Sequence, residues 1–521
     1  MKRVFENLLI LLVIGSIIAC SKKTLEVDTL IRQGKIIDGT NGTAYVGDIG
    51  ISGDTISFIG NSENFNVKAS KVVNASGLTV SPGFIDPHTH AWVDLRSEEA
   101  NQNINYLTQG VTTVFAGNDG GGPFDIDAAA GELNLSGIGT NVVFLVGHGS
   151  VRREILGMSD VAPTEEQLES MKALVRKGME TGAFGFSTGL YYAPGSFSTT
   201  EEVIELTKEV AAYDGVYDSH IRDESSYNIG LIGAVKETIE IGEKSGVPIH
   251  FAHIKALGVD VWGKSTEIIQ LVEEAQSRGL RVTADQYPWR ASGTNLQNAV
   301  ISRWVMAGGE DAYYKRLNDP KLLPRIRAEI KENIRKRGGP ESLLITADYK
   351  DEEMIGLNLG QIAEQMKLDP VEATLVIAKN GGARVASFNM NEDDMKNFMT
   401  QDWVMTSSDG SKGHPRKYAS FPEKYLRYVI ENPVLSLETF VHKSSALPSS
   451  TFGIEKRGTI KVGNYADVIL FDEDRFRPLA NFSEPENLSE GVEYVFVNGE
   501  PAILEGKPTP MLSGKVLRKN K

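Results

Sequence analysis

Two kinds of hydrophobic pattern divide the chain. Near both ends, short runs rich in β-forming residues alternate with turn signals, and these runs lie at 31–37, 48–52, 56–60 and 71–73 and again at 458–463, 466–471 and 492–498. Between them, apolar residues recur at helical spacing in segments that alternate with short apolar strands. The pattern therefore predicts one small β-domain assembled from both termini around a different middle.

The middle is clearest from residue 164 to residue 284. Thr164 begins a helix with the spacing of a capping box, and Gly182 ends it. Strands are then predicted at 183–186, 215–219, 247–252 and 280–284, separated by helices at 201–212, 232–244 and 266–277. Regular alternation of this kind is typical of a parallel α/β domain.

Polar residues follow successive predicted strands at intervals of about one βα unit. His220, His253 and Asp285 stand just past three of these strands. The C-terminal ends of successive strands converge around a ring only at the top of a (β/α)8 barrel. The predicted fold is therefore α/β, a (β/α)8 TIM-like barrel with a small β-sandwich domain built from both termini. The alternative is a doubly wound open sheet, whose ligands gather at one switch point.

The predicted organisation has four parts. They are a lipoprotein signal peptide with a short linker at 1–23, the N-terminal part of the β-sandwich at 24–82, the barrel at 83–455 and the C-terminal part of the β-sandwich at 456–521. Between about 289 and 344 the alternation lapses into charged, helix-prone sequence. This segment predicts an insertion that is either a lid or an ordinary loop with surface helices. An apolar helix at 371–378 then predicts the return of the barrel.

Composition and charge limit the partners. The chain has 521 residues and a formal net charge of −15, which argues against a nucleic-acid partner. Its single cysteine, Cys20, excludes an intrachain disulfide.

Cys20 stands at the end of an apolar run. The run at 8–18 follows a basic start and is much shorter than the ~20 residues that span a bilayer, so it predicts a signal peptide. Residues 17–20 resemble the lipobox of bacterial lipoproteins, which implies lipidation of Cys20 and a place in the bacterial cell envelope. Membrane contact would be through this lipid anchor only, and Ser21 favours the outer membrane, facing the periplasm. The alternative is an ordinary signal peptide or an uncleaved N-terminal anchor.

Four of the eight histidines fall at predicted strand ends in barrel order: His88, His90, His220 and His253. His88 and His90 are two apart, so on an extended strand they point to the same side and can hold one metal ion. Asp409 ends a late strand. Four imidazoles and a carboxylate at converging positions suit a hydrolytic site with one or two metal ions.

Two further histidines receive other interpretations. His250 lies three residues before His253, so it is predicted to point to the opposite face and to serve packing or hydrogen bonding. His148 lies in a glycine-rich loop, where it either touches substrate or braces the site.

Longer strings match one family in order. The chain resembles the N-acyl-D-amino-acid deacylase (D-aminoacylase) family of the amidohydrolase superfamily at 84–90, 182–190, 220–224, 253–255, 285–288, 408–410, 414–416, 457–458 and 466–467. The resemblance implies zinc-dependent hydrolysis of the N-acyl amide bond of N-acyl-D-amino acids, or of D-configured peptides, to a carboxylate and a free D-amino acid. It makes Asp409 a metal ligand and the general base toward a metal-bound water.

The resemblance also implies further roles. It assigns one metal to His88 and His90, the other to His220 and His253, and the substrate's α-carboxylate to Lys255, Tyr287 and Arg416. Two cations and a phenol can hydrogen-bond a carboxylate in a fixed orientation. Ion pairing with local acidic residues is the alternative for Lys255 and Arg416.

One string departs from the family. The family typically places a metal-binding cysteine after the second strand in a Gly-Asn-Cys string, whereas residues 117–119 read Gly-Asn-Asp. Asp119 is predicted to bind metal, because it follows an apolar strand at 111–117, and its two oxygens could bridge two ions. A carboxylate is harder than a thiolate, so manganese or cobalt becomes possible beside zinc. The alternative is that Asp119 only caps the turn at 120–122.

Two rival functions stay open. One is a cyclic-amide hydrolase of hydantoinase or dihydroorotase type, against which Lys255 and Arg416 argue if they bind a free carboxylate. The other is a catalytically inactive, lipid-anchored binding protein. Asp409 argues against it, because pure binding needs no general base.

Overall fold

The computed structural model describes residues 22–519, so the predicted signal peptide and Cys20 lie outside the described residues. The strands are β1 (Thr24–Ile36), β2 (Tyr45–Ser52), β3 (Thr55–Gly60), β4 (Asn66–Asn74), β5 (Thr79–Pro82), β6 (Phe84–Asp86), β7 (Val111–Ala116), β8 (Asn141–Gly147), β9 (Gly185–Gly189), β10 (Val216–His220), β11 (Ile249–Phe251), β12 (Val282–Gln286), β13 (Ala291–Asn295), β14 (Leu343–Ala347), β15 (Arg384–Phe388), β16 (Val404–Thr406), β17 (Val468–Phe471), β18 (Val492–Val497), β19 (Glu500–Leu504) and β20 (Lys507–Pro508).

The α-helices are α1 (Trp92–Leu95), α2 (Ile104–Leu107), α3 (Ile126–Ser136), α4 (His148–Leu156), α5 (Glu165–Glu180), α6 (Thr200–Ala211), α7 (Leu231–Ser245), α8 (Ser265–Ser277), α9 (Leu296–Val300), α10 (Glu310–Leu317), α11 (Leu323–Lys336), α12 (Leu359–Met366), α13 (Pro370–Lys379), α14 (Glu392–Met399), α15 (Arg416–Tyr425), α16 (Leu437–Ser444) and α17 (Ala446–Phe452). Across 22–519, none of these helices has the length and apolar character that a membrane crossing requires.

Eight parallel strands form the predicted barrel. β6 to β12 pair in chain order and β16 pairs with β12. The last and first strands meet just beyond their ends, where the Asp409 amide donates to the carbonyl of His88 at 2.9 Å and Thr89 bridges Gly410 in parallel. The (β/α)8 prediction is therefore confirmed, and all eight C-terminal strand ends face one mouth.

The apolar runs of the sequence fill the lower part of the barrel. Every residue of β7 and β8 is buried, as expected of parallel strands covered on both faces. A layer of buried side chains inside the ring is closed from below by Phe452 of α17, and its strand members include Ile85, Phe115, Leu145 and Met405. The polar residues of the barrel strands therefore lie toward the mouth.

Both termini contribute to one nine-stranded sheet, in which β17 pairs with β5 antiparallel and β5 pairs with β1 parallel. Its own apolar core joins Ile36 and Ile49 from the N-terminal part to Val468 and Phe496 from the C-terminal part. The prediction of one β-domain from both ends is confirmed.

The insertion between β12 and β16 is longer than the predicted 289–344. Here β13, β15 and β14 form a separate three-stranded sheet, and a second apolar core joins Leu296, Ile330 and Val385. Helix α13 contributes Leu375 and Ile377 to that core, so it belongs to the insertion and does not mark the return of the barrel. We call residues 291–388 the inserted unit.

Candidate active site at the barrel mouth

The six predicted ligand residues meet at the mouth, around the carboxylate of Asp119. Asp119 Oδ1 lies 3.3 Å from His220 Nδ1 and 3.5 Å from both His88 Nε2 and His253 Nε2. Asp119 Oδ2 lies 3.7 Å from His90 Nε2. Asp409 Oδ1 completes the cluster, 3.1 Å from His90 Nε2 and 3.7 Å from His88 Nε2.

The backbone presents several of these side chains in an unusual conformation. Asp119 (φ 56°), His253 (φ 35°) and Asp409 (φ 45°) are all left-handed, each just past a barrel strand. Left-handed non-glycine residues cost free energy and cluster at functional sites. Gly122 also fixes the turn that carries Asp119, because a Cβ there would lie 1.9 Å from the carbonyl oxygen of Leu145.

Asp119 does not cap the glycine turn that follows it. The amide of Gly120 donates to Ser187 Oγ at 3.1 Å, and the amide of Gly121 donates to the carbonyl of Asn118 at 3.0 Å. The carboxylate is therefore left to face the histidines.

The cluster contains buried polar atoms that make no hydrogen bond within residues 22–519. They are both ring nitrogens of His88, both ring nitrogens of His220 and Oδ1 of Asp119. Buried polar groups are normally hydrogen-bonded, so a set of unsatisfied ligand atoms indicates a missing partner. Each of the trios His88–His90–Asp119 and Asp119–His220–His253 has ligand atoms within 4.8 Å of one another. This donor set fits one or two divalent ions, and Asp119 belongs to both trios.

The electrostatics of the cluster agree with bound cations. Burial opposes ionisation of Asp119, but His220 and His88 outweigh it and hold the pKa of Asp119 well below its usual range. Burial likewise lowers the pKa of His253, yet Glu224 and Asp409 raise that pKa to about 9. The carboxylates thus stabilise positive charge at His88 and His253, whereas burial outweighs them at His220 and lowers its pKa.

A second polar layer lies directly beneath the cluster. Asp285 Oδ2 is 2.9 Å from His250 Nε2 and 3.7 Å from His88 Nδ1. The hydrogen bonding predicted for His250 is present, but its predicted direction is wrong, because the ring points into the barrel and packs against Phe452. Strand β11 ends at Phe251, and the left-handed turn at His253 breaks the alternation on which that prediction relied.

The three residues expected at the α-carboxylate lie beside the cluster. Lys255 Nζ is 2.5 Å from Glu224 Oε1 and 2.6 Å from His253 Nδ1. Arg416 Nη2 is 2.8 Å from Asp409 Oδ2, and its guanidinium lies 4.6 Å above the ring centre of Tyr287. Nε and Nη1 of Arg416 are buried and donate to no acceptor among the described residues.

Glu224 is a residue that the sequence reasoning missed. It ends the string at 220–224. A carboxylate four residues after a predicted metal ligand was the sequence feature that could have identified it. Burial opposes its ionisation, but Lys255 and then His220 hold the pKa of Glu224 far below its usual range. His148, in contrast, braces the structure, with Nε2 2.9 Å from the buried Glu202.

A cavity of about 570 Å³ opens above the cluster. The barrel mouth lines it with His90, Asp119 and Asp409, among others, and the inserted unit lines the facing side with residues that include Thr294 and Arg384. The six-residue cluster of the barrel mouth and a separate polar wall therefore line the same cavity.

A closed (β/α)8 barrel with this set of histidines and aspartates at its mouth defines an amidohydrolase. Residues 71–288 and 358–503 match the sequence model described as "Amidohydrolase family", and the unmatched segment falls largely in the inserted unit. Within that class, the chain belongs to the N-acyl-D-amino-acid deacylase (D-aminoacylase) family, because it is 30% identical to a D-aminoacylase of Alcaligenes xylosoxydans xylosoxydans over 94% of this chain and 97% of that relative.

Other relatives give the same assignment. An N-acyl-D-glutamate deacylase of A. xylosoxydans xylosoxydans is 30% identical over 95% of this chain and 97% of its own length. The crystal structure of the N-acyl-D-glutamate deacylase of Bordetella bronchiseptica, complexed with zinc and a phosphonate inhibitor, is 29% identical with a TM-score of 0.80 and covers 95% of this chain and 100% of that one. A D-hydantoinase, 15% identical with a TM-score of 0.55 over 95% of this chain and 99% of its own, shares the fold alone.

Proposed function

We propose that this protein hydrolyses the N-acyl amide bond of N-acyl-D-amino acids, or of D-configured peptides, to a carboxylate and a free D-amino acid. The observation that carries the proposal is the cluster at the mouth, where buried imidazole nitrogens that make no hydrogen bond within residues 22–519 face two carboxylates. The reaction class also agrees with the named activities of the deacylase relatives.

His88, His90, Asp119, His220, His253 and Asp409 would hold one or two divalent ions. Zinc is the first candidate, since the B. bronchiseptica relative is complexed with zinc, and manganese or cobalt also suits a carboxylate-rich donor set. Such an ion, when bound, polarises the scissile carbonyl and makes a water more acidic.

Asp409 moves the proton in this proposal. Burial raises its pKa, but Arg416 and then His253 hold the pKa of Asp409 well below its usual range, so it is ionised near neutral pH. Arg416 binds Oδ2 at 2.8 Å, which leaves Oδ1 facing the cluster. Oδ1 takes a proton from the attacking water and later delivers it to the nitrogen of the departing amino acid.

Lys255, Tyr287 and Arg416 bind the α-carboxylate. Lys255 and Tyr287 line the cavity. Arg416 packs against Tyr287, and two of its guanidinium nitrogens have no hydrogen-bond partner in the part of the chain that the structure describes. A charge-assisted set of donors of this kind fixes the orientation of a carboxylate, and with it the scissile amide.

The test is a substrate panel on protein reconstituted with zinc, manganese or cobalt. We expect hydrolysis of N-acetyl-D-amino acids and little or none of their L enantiomers. Cleavage of hydantoins or dihydroorotate without cleavage of linear substrates would instead support the cyclic-amide rival. Binding of N-acetyl-D-amino acids without turnover, with any of the three metals, would support the inactive binding protein.

We also propose that the mature protein begins at Cys20 and is held in the bacterial envelope by lipid on that residue. The support is the apolar run that ends at the chain's single cysteine. Two or more acyl chains give stable attachment to a membrane, whereas one gives only marginal binding. Cys20→Ser should leave the membrane fraction and stay unlipidated, while Ser21→Ala serves as the matched control. Unchanged processing and fractionation of Cys20→Ser would refute the anchor.

A further inference from the structure

Arg384 is the first residue of β15, the central strand of the three-stranded sheet of the inserted unit. It pairs with Asn295 of β13 on one side and with Ala347 of β14 on the other. A residue held between two strands has a fixed backbone, so its side chain is presented to the cavity from a rigid support. This position is opposite the six-residue cluster of the barrel mouth.

The guanidinium of Arg384 has no hydrogen-bonding or ionic partner within residues 22–519, although it is partly buried. Burial lowers the pKa of Arg384 and the nearby charge of Arg416 lowers it further, against smaller opposite contributions from Tyr192, Asp348 and Asp409. Removing a cation from water without a partner costs free energy, so the arrangement suits an anion that arrives from outside the chain.

The lysines of the cavity already have partners. Lys255 pairs with Glu224 at 2.5 Å, Lys412 with Asp348 at 2.5 Å and Lys417 with Asp94 at 2.7 Å. The buried Arg337 donates to the carbonyl of Ala299 at 2.9 Å and to the hydroxyl of Tyr191 at 3.3 Å. Arg153 is exposed at the rim. Lys255 and Arg416 are assigned to the α-carboxylate, so Arg384 is the partly buried cation of the cavity that is left for a second anion.

The wall around Arg384 is polar. Every cavity-lining residue that the inserted unit contributes is polar or glycine. Asn295 of β13 pairs with Arg384, and Ser292 and Thr294 of the same strand also line the cavity. An aliphatic substrate side chain gains free energy from apolar contacts, which this wall does not supply. A carboxylate gains charge-assisted hydrogen bonds from a guanidinium.

We infer that Arg384 is a specificity-determining residue that binds a carboxylate in the side chain of the substrate, so that the preferred substrates are N-acyl derivatives of acidic D-amino acids. The inference rests on the proposed deacylase function and adds the side-chain class to it. Such a substrate carries two carboxylates, one for Lys255, Tyr287 and Arg416 and one for Arg384. The inserted unit then selects the substrate that the barrel mouth hydrolyses.

The test compares acidic substrates with their neutral isosteres. kcat and KM are measured for N-acetyl-D-glutamate against N-acetyl-D-glutamine, and for N-acetyl-D-aspartate against N-acetyl-D-asparagine, with wild type, Arg384→Gln, Arg384→Lys and the matched control Arg153→Gln. Metal content and melting temperature of each variant confirm that the fold is retained. The two pairs also show which side-chain length the site accepts.

We expect wild type to favour the acidic member of at least one pair by about ten- to a hundredfold in kcat/KM, the value of a hydrogen bond to a charged group. Arg384→Gln should abolish this preference, mainly through KM, while Arg384→Lys keeps part of it and Arg153→Gln keeps it all. Equal losses on acidic and neutral substrates, or a wild type without acidic preference, would overturn the inference and leave the deacylase function standing. A wild type that hydrolyses no N-acyl-D-amino acid would overturn both.

Discussion

The two sides of the cavity differ in origin and in chemistry. The barrel side carries imidazoles and carboxylates on the ends of parallel strands, crowded so closely that Asp119 Oδ1 lies within 3.5 Å of three histidines. The facing side comes from the inserted unit and carries hydroxyls, amides, the paired groups of Arg337 and Asp348, and the guanidinium of Arg384, which has no partner in the described part of the chain. The barrel side is suited to hydrolysis, and the inserted unit is suited to determining substrate specificity.

The two sides also rest on separate supports. The mouth stands on the apolar layer of the barrel, which includes Phe115 and Leu145, whereas the inserted unit has its own core around Leu296 and Ile330. Because the cores are separate, a substitution on one side need not disturb the other. Functional sites built on rigid scaffolds with variable insertions divide chemistry from specificity in this way.

The largest effect should come from Asp409→Asn on the barrel side. An amide cannot accept the proton, and loss of a general base costs about 10²–10⁴-fold in kcat. Asp348→Asn makes the same chemical change on the inserted unit and should alter kcat little. The measurement is kcat of both variants at equal metal content, which shows whether the effect is specific to the barrel side of the cavity. A variant Asp409→Asn with half of the wild-type kcat would remove Asp409 from the mechanism.

Variants of Asp119 test whether this carboxylate is needed for metal binding. Asp119→Ala removes the carboxylate that faces all four histidines, so it should lose metal and activity together. Asp119→Cys supplies a thiolate and should recover zinc in preference to manganese. Metal analysis of the purified variants is the readout, with Asp348→Ala as the matched control. Full metal occupancy in Asp119→Ala would show that the histidines and Asp409 hold the ions without it.

Arg416 is assigned to binding the substrate's α-carboxylate and also contacts Asp409. The loss of kcat/KM in its variant should therefore be intermediate. Arg416→Ala removes a donor to the α-carboxylate, so kcat/KM for N-acetyl-D-amino acids should fall about ten- to a hundredfold, the value of a charged hydrogen bond. The corresponding N-acetyl-D-amino-acid amides should lose less. Equal losses on acids and amides would mean that Arg416 serves only to hold Asp409, 2.8 Å away.

The barrel and most of the mouth were predictable from the sequence, for a physical reason. Strands buried on both faces are continuous apolar runs, and the residue after such a run lies at the mouth whatever the details of packing. The positions of His220 and His253 could therefore be predicted from the lengths of the βα units, and the bounds of β10 and α7 each differ by one residue from the predicted ones.

The direction of His250 and the role of Arg384 could not be predicted in this way. The first depends on a left-handed turn at His253, which alternation does not foresee. The second depends on β15 pairing with β13 across more than eighty intervening residues, and such long-range pairing leaves no local pattern. The inserted unit was misjudged at its far end for the same reason, since α13 has an apolar pattern that suits either core.

The smallest effect on chemistry should come from the core of the inserted unit. Ile330 of α11 is fully buried there, and Ile268 of α8 is fully buried in the barrel core. Truncating a buried isoleucine to alanine costs about 2–5 kcal/mol. Ile330→Ala should therefore raise backbone hydrogen exchange within residues 291–388, weaken binding of the substrate side chain and leave metal content unchanged. Ile268→Ala should raise exchange in the barrel and lower metal retention. Faster exchange throughout both units in Ile330→Ala would show that they unfold as one, and the division between a reacting side and a selecting side would then have no independent structural support.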